Sequence, residues 1–230
     1  YAGAGSSGLM ALADCLELPG TFGIDPARVP MMFAGGADAL LRMEGGVEDD
    51  PDRALADLDR AGLGQGDMVL VLSASGMTPY ALAVAQGARA RGVVVAGIAN
   101  VPGAALLEMA DLPVLLDSGP ELVAGSTRMG AATAQKAALN MISVLVGIGL
   151  GHVHRGRMVN LIADNAKLVA RATGIVAEIA GVGPDAAAHA LDRTGGAVKP
   201  AILVARGMTP DQARARLDRD GGLLGPAIDG

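Results

Sequence analysis

Four short runs of uninterrupted apolar residues frame this chain: Val29 to Phe33, Met68 to Leu72, Val93 to Ala99 and Leu112 to Leu116. A strand with one wet face alternates apolar and polar residues, whereas a strand of a parallel sheet is covered on both faces and reads as continuous Val, Ile and Leu. Between and before the runs lie segments of helical length: Gly8 to Leu18, Pro51 to Leu63, Pro79 to Arg91 and Ala104 to Met109. This alternation predicts an α/β fold on a doubly wound parallel sheet, Rossmann-like or flavodoxin-like in kind. After about Arg155 the pattern is helical alone, with segments Val159 to Ala180, Pro184 to Thr194, Lys199 to Ala205 and Thr209 to Asp220. Residues 1–155 are therefore expected to form the α/β domain and 156–230 a small helical subdomain.

Composition removes several function classes. Eighteen Lys and Arg against 24 Asp and Glu give a net charge of −6, and aromatic residues make up 2%. That argues against nucleic acid, which calls for basic clusters and stacking platforms. The longest apolar run, Ala137 to Gly151, is interrupted by Asn140 and Ser143. It falls short of the roughly 20 residues a spanning helix needs, so it reads as a core or subunit-interface helix and no membrane is expected. The N-terminus has no basic leader, which makes cytoplasmic the default location. Cys15 is the single cysteine, so neither a disulfide framework nor a zinc cluster of thiols is available. His152 and His154 share a face only on a strand and have no third ligand nearby; no metal site is expected.

In a doubly wound sheet, ligands bind beyond the carboxyl ends of the strands, in the strand-to-helix loops. Three such loops are rich in hydroxyls and glycine. The first, GAGSSG, spans residues 3 to 8 and offers Gly5, Ser6 and Ser7 at the opening of a helix. The second, SASGMTPY after Met68 to Leu72, offers Ser75, Gly76 and Thr78, with Thr78 the natural N-cap before Pro79. The third, Gly125-Ser126-Thr127-Arg128, opens a long helix that carries Gln135 and Lys136. Capping alone explains any one of them. Three together, none with the Lys-Ser/Thr of a P-loop, fit a phosphorylated ligand held by hydroxyls and main-chain amides without Mg²⁺.

Read together, GAGSSG, Asp14 with Glu17 in DCLELPGTFG, the AGG at 34 to 36, Glu48-Asp49 in EGGVED, SASGMTPY, GSTRM with TAQK, and MVNLIADNAKL resemble the N-acetylmuramic acid 6-phosphate etherases. These belong to the sugar isomerase (SIS) superfamily and are relatives of the glucokinase regulatory protein. The resemblance implies a SIS-type sheet with a helical tail, a phosphorylated amino sugar as ligand and no cofactor; a homodimer is expected because the apolar Ala137 to Gly151 helix offers more hydrophobic surface than one small domain covers. Members carry a helical segment and a first strand before the GAG(S/T)SG loop, so the resemblance also implies a chain truncated just upstream of Tyr1. The implied reaction cleaves the ether between D-lactate and C3 of the sugar, with water added to give N-acetylglucosamine 6-phosphate. The family's two catalytic glutamates fall on Glu17, as the acid that protonates the leaving oxygen and later activates water, and on Glu48, as the group that assists proton transfer at C2. By pattern alone, Glu48 reads as a dipole-complementing residue before the Pro51 helix and Glu17 as an exposed turn carboxylate.

The chain departs from the family pattern at three basic positions, where it has Leu9, Met77 and Gly130. Arg128 and Lys136 remain. Fewer cations weaken capture of a phosphate and a carboxylate, which leaves two alternatives open: a non-catalytic phosphosugar-binding regulator, and a phosphosugar isomerase of the same superfamily.

Overall fold

The computed structural model describes residues 1–229. In chain order the elements are β1 (Ala2–Gly3), α1 (Gly5–Cys15), α2 (Leu18–Phe22), β2 (Met32–Phe33), α3 (Gly36–Arg42), α4 (Pro51–Ala61), β3 (Met68–Leu72), α5 (Pro79–Ala90), β4 (Val94–Ala99), α6 (Ala105–Met109) and β5 (Leu112–Leu115). Then come α7 (Gly130–Gly149), the strands β6 (Val153–His154) and β7 (Arg157–Met158), and helices α8 (Ala166–Ala180), α9 (Pro184–Arg193), α10 (Val198–Ala205), α11 (Pro210–Arg219) and α12 (Leu224–Asp229).

The chain divides into two compact units, Tyr1–Cys15 with Ala27–Met141, and Leu16–Pro26 with the residues from Ile142 on. The division falls inside α7, and α2 belongs to the second unit, whereas the sequence pattern draws one boundary at residue 155. Side-chain packing is the reason. Asn160 Nδ2 donates to the Phe22 carbonyl at 2.9 Å, and the Phe22 ring packs on Gly147, where a Cβ would stand 2.7 Å from Cδ1.

The first unit is built on a five-stranded sheet of order β2-β1-β3-β4-β5, with every neighbouring pair parallel. The sequence pattern finds no strand ahead of GAGSSG; Ala2 and Gly3 fill that place, Ala2 pairing with Met32 on one side and Val71 on the other. β2 is shorter than the apolar run 29–33. Pro30 has no amide to give the ladder, and pairing starts where the Met32 N–H donates to the Tyr1 carbonyl at 2.8 Å.

Alternate residues of a strand share a face. Val69, Val71 and Val95 accordingly bury with Leu58 of α4, with Tyr80, Ala81, Val84 and Ala88 of α5, and with Leu106 of α6. Right-handed crossovers put these three helices on one face and α1 on the other. Inside this core the Tyr80 hydroxyl donates to Asp57 Oδ2 at 2.7 Å, and Arg60 pairs with Asp57 Oδ1 at 2.9 Å.

The second unit buries Ile175 and Val176 of α8, Leu191 of α9, Val198, Ile202 and Leu203 of α10, Leu217 of α11 and Leu224 of α12. α8 begins at Ala166 rather than at Val159, because Asn165 caps it by accepting from the Leu168 N–H at 3.0 Å. The β6–β7 hairpin precedes it. α11 has a full capping box between Thr209 and Gln212.

α7, with 20 residues, is long and apolar enough to cross a membrane by length and composition. Two of its polar residues are engaged within the first unit. Gln135 Nε2 donates to Asn100 Oδ1 at 2.9 Å, and Lys136 Nζ lies 3.5 Å from Asp14 Oδ1.

Candidate functional site

The order β2-β1-β3-β4-β5 is the flavodoxin-like one, and its strand order reverses between β1 and β3. Chain leaving β1 runs toward one side and chain leaving β3 toward the other, which opens a crevice beyond their carboxyl ends. The loops after these two strands are GAGSSG and SASGMTPY. The topology therefore brings together two of the three hydroxyl-rich loops.

α1 begins at Gly5, whose φ of +51° lies in the left-handed region, so Ser6 and Ser7 occupy its first turn. Gly8 of the same turn approaches the strand closely, and a Cβ there would lie 2.8 Å from the Gly3 carbonyl. Ser7 is buried, and its Oγ accepts from the Ala74 N–H of the neighbouring loop at 3.2 Å. In that second loop Ser73 Oγ contacts Thr78 Oγ1 at 2.9 Å and accepts from the Gly76 N–H at 3.0 Å. Ser75 Oγ accepts from the Met77 N–H at 3.2 Å. Thr78 is the N-cap residue of α5, but its side chain makes no capping bond; its hydroxyl is committed to Ser73 instead. Ser73 is a site residue that the sequence reading passes over. Its signal was its place at the strand's end, where a buried hydroxyl can organise the loop.

The third loop is differently disposed. Glu121 Oε2 and Oε1 accept from the Gly130 and Ala131 N–H groups at 2.9 and 2.8 Å. The first amides of α7 thus already meet a carboxylate of the chain, which satisfies orphan donors and complements the helix dipole. Arg128 Nε donates to Ser126 Oγ at 3.0 Å, and the Thr127 carbonyl accepts from the Ala132 N–H at 3.0 Å. Nine residues separate Glu121 from Gly130, so no capping spacing marks it in the sequence. Lys136 is held by Asp14, which also accepts from the Tyr1 hydroxyl at 2.9 Å.

Glu48 lies in a 3-10 turn over Gly45–Asp49. The cap of α4 is made by Asp50, whose side chain accepts from the Arg53 N–H at 3.0 Å, so Glu48 is not the residue that complements that helix. Its carboxylate sits against Gly5, where a Cβ would stand 2.5 Å from Oε1. Burial, and secondarily the charge of Asp49, push its pKa above the ordinary glutamate value of 4.5. Glu17 belongs to the second unit, where it is exposed at the N-cap of α2 and makes no side-chain cap bond. Of the three departures from the family pattern, Met77 and Gly130 are exposed and Leu9 is half-buried.

No family model matches the chain. Among curated proteins it is 43% identical to an N-acetylmuramic acid 6-phosphate etherase from Deinococcus radiodurans over 206 residues, which cover 90% of this chain and 68% of that protein. Proteins of the same name from Rubrobacter xylanophilus and Geobacillus thermodenitrificans are 43% and 41% identical, covering 88% and 89% of this chain and 67% and 69% of theirs. Two solved structures align more distantly. One is c3406 of E. coli CFT073 (TM-score 0.45, 17% identity, 67% of this chain and 71% of that one). The other is the Vibrio vulnificus NanR protein complexed with ManNAc-6P (TM-score 0.43, 18% identity, 65% and 49%). At those scores neither bears on fold or ligand. The curated relatives do decide the family, since they match nine-tenths of the chain at more than 40% identity: the chain belongs to the N-acetylmuramic acid 6-phosphate etherase family.

Proposed function

We propose that the protein is a carbon–oxygen lyase that converts N-acetylmuramic acid 6-phosphate and water into N-acetylglucosamine 6-phosphate and D-lactate. The observation that carries this reading is the Glu48 carboxylate. It is half-buried, raised in pKa, engaged by no hydrogen bond or ion pair among the described residues, and seated against the loop at the sheet's reversal point. A carboxylate used only for structure is normally paired when it is drawn out of water.

In this reading the phosphate is gripped by hydroxyls and amides of the first two loops, Gly5, Ser6 and Ser7 with Ser75, Gly76 and Thr78. Ser126, Thr127, Arg128 and Lys136 contribute from the third loop and α7. In the open-chain sugar the C1 aldehyde acidifies the C2 proton. Glu48 takes that proton, the C3–O bond breaks, and the electron pair of the former C2–H bond becomes the C2=C3 double bond. Glu17, acting as general acid, protonates the departing lactate oxygen. As general base it then activates a water that adds to C3, and a proton returns to C2. A raised pKa suits Glu48 to its part, because it makes the carboxylate a stronger base. The role of Glu17 rests on its match to the family motif in LELPGTFG. No step calls for a redox or nucleotide cofactor.

The protein is further proposed to act in the cytoplasm as a homodimer, with the exposed apolar side chains Val144, Leu145 and Ile148 of α7 as the contact surface. The activity is tested by incubating the protein with N-acetylmuramic acid 6-phosphate and measuring D-lactate, with Glu17→Ala and Glu48→Ala as controls. Release that both substitutions abolish supports the lyase. Aldose–ketose interconversion without lactate would replace it with an isomerase, and saturable binding without turnover would replace it with a regulator.

A further inference from the structure

The second unit contains a cavity of about 480 Å³ with no part in the reaction described above. It is walled by Asn160 to Ala163, by the run Gly195 to Pro200 that leads into α10, and by Leu217 and Gly222. Its size falls in the range of small-molecule sites, roughly 300 to 1,000 Å³, and like them it is mostly apolar with a few convergent polar groups.

One charged residue lines it, Lys199, and that residue is 9% exposed. Lysine is almost never so deeply buried without a partner of opposite charge. Here Nζ has a single contact among the described residues, a donated hydrogen bond to the Gly222 carbonyl at 2.9 Å. Among the described residues no carboxylate faces it, and burial alone lowers its pKa. An ammonium has three N–H groups to satisfy, so two are left over. The surrounding backbone has the same polarity. Gly195 and Gly196 both take left-handed φ values, 65° and 82°, which bend the chain sharply into α10. That helix starts without a side-chain cap. The N–H groups of Val198 and Lys199, its first two, have by position no intrahelical acceptor, and Pro200 has none to offer.

The geometry points to a second ligand site in this unit, which takes a small organic oxyanion, one phosphate or carboxylate on a neutral body, with its charged end on Lys199 and the start of α10. The apolar walls Leu161, Ile162 and Leu217 receive the body. The inference stands whether or not the lyase reading holds, because it uses none of the same residues.

The test is a titration of the isotope-labelled full chain with inorganic phosphate, D-lactate or glucose 6-phosphate, followed by NMR at the amides of Gly195, Gly196 and Val198 and at Lys199 Nζ. Saturable shifts at these atoms are expected. Deprotonation of Lys199 moves to higher pH in the bound state, since an anion favours the charged form. Lys199→Met weakens the response at least about tenfold, the loss expected for a charge-assisted bond. Which probe saturates at the lowest concentration separates a phosphate site from a carboxylate site. Unsaturable or absent shifts with all three probes, or a Lys199 titration that no probe moves, overturn the inference on the wild-type protein alone. So does a folded Lys199→Met chain that still binds as the wild type does.

Discussion

The Glu48 carboxylate occupies the space beside Gly5 that any larger residue would need: a Cβ at Gly5 would stand 2.5 Å from Oε1, on a backbone already at φ +51°. Gly5→Ala must therefore both strain the loop and displace the carboxylate. The expected cost is about 1 kcal/mol in urea unfolding and a fall in kcat of about 10²-fold, the low end for losing a positioned base. Steady-state D-lactate release checks it. A variant with wild-type kcat would separate Glu48 from the chemistry.

The raised pKa of Glu48 has two consequences of definite sign. As a base Glu48 works only when ionised, so kcat/KM should rise with pH through an inflection above the ordinary 4.5. Stability runs the other way. Between the ordinary value and the raised one the folded state holds a proton that the unfolded state has released, so unfolding free energy falls as pH rises across that window. Glu48→Gln should flatten this part of the Tm-against-pH curve and reduce kcat by about 10²–10⁴-fold. A pH-stability curve identical to wild type would contradict the burial assigned to this carboxylate.

Ser7 ties the first two loops together, and Ser7→Ala leaves the Ala74 N–H without its acceptor. An orphaned donor of this kind costs about 1–3 kcal/mol. The loss should appear in chemical denaturation, with a higher KM for the phosphosugar. Ser75→Ala, which frees the N–H of the exposed Met77, should cost less stability. Equal stability losses would deny Ser7 its role as the link.

Tyr80→Phe isolates a purely structural bond. It removes the hydroxyl from Asp57 Oδ2 and leaves Arg60 as partner to a carboxylate in a buried residue. A destabilisation of about 1–3 kcal/mol is expected, with kcat unchanged at a temperature where the variant is folded.

Leu145 is 66% exposed on α7 between Val144 and Val146, which are also exposed. Sedimentation should find the wild type as a dimer and Leu145→Glu as a monomer. A wild-type monomer at working concentration removes α7 as the contact surface.

The sheet was legible because its strands spell uninterrupted apolar runs, even β5, three of whose four residues are exposed; β3 matched to the residue, and β4 and β5 to within one. β1 was not legible, since a two-residue strand such as Ala2–Gly3 carries no period at all. α2 was hidden because Leu18–Phe22 contains both Pro and Gly, and its packing partners, Gly147 and Asn160, lie more than a hundred residues away. At the candidate site the hydroxyl loops stood out by composition. Their wiring did not: Thr78 looked like a cap and instead bonds Ser73, while Glu121 reaches α7 from a loop with no capping spacing. Glu48 could be singled out only by resemblance, because an acidic run before Pro51 looks like any helix start, and only packing shows that Asp50 makes that cap.

The hydrogen bond from Ala74 to Ser7 spans 67 residues of chain. Contacts that distant form after the entropy of closing a long loop has been overcome, late compared with helices that need only their own neighbours. During refolding, helical circular dichroism should therefore recover before phosphosugar affinity does. The crevice comes into being only when β1 has docked beside β3, so ligand binding is itself a gauge of the finished sheet.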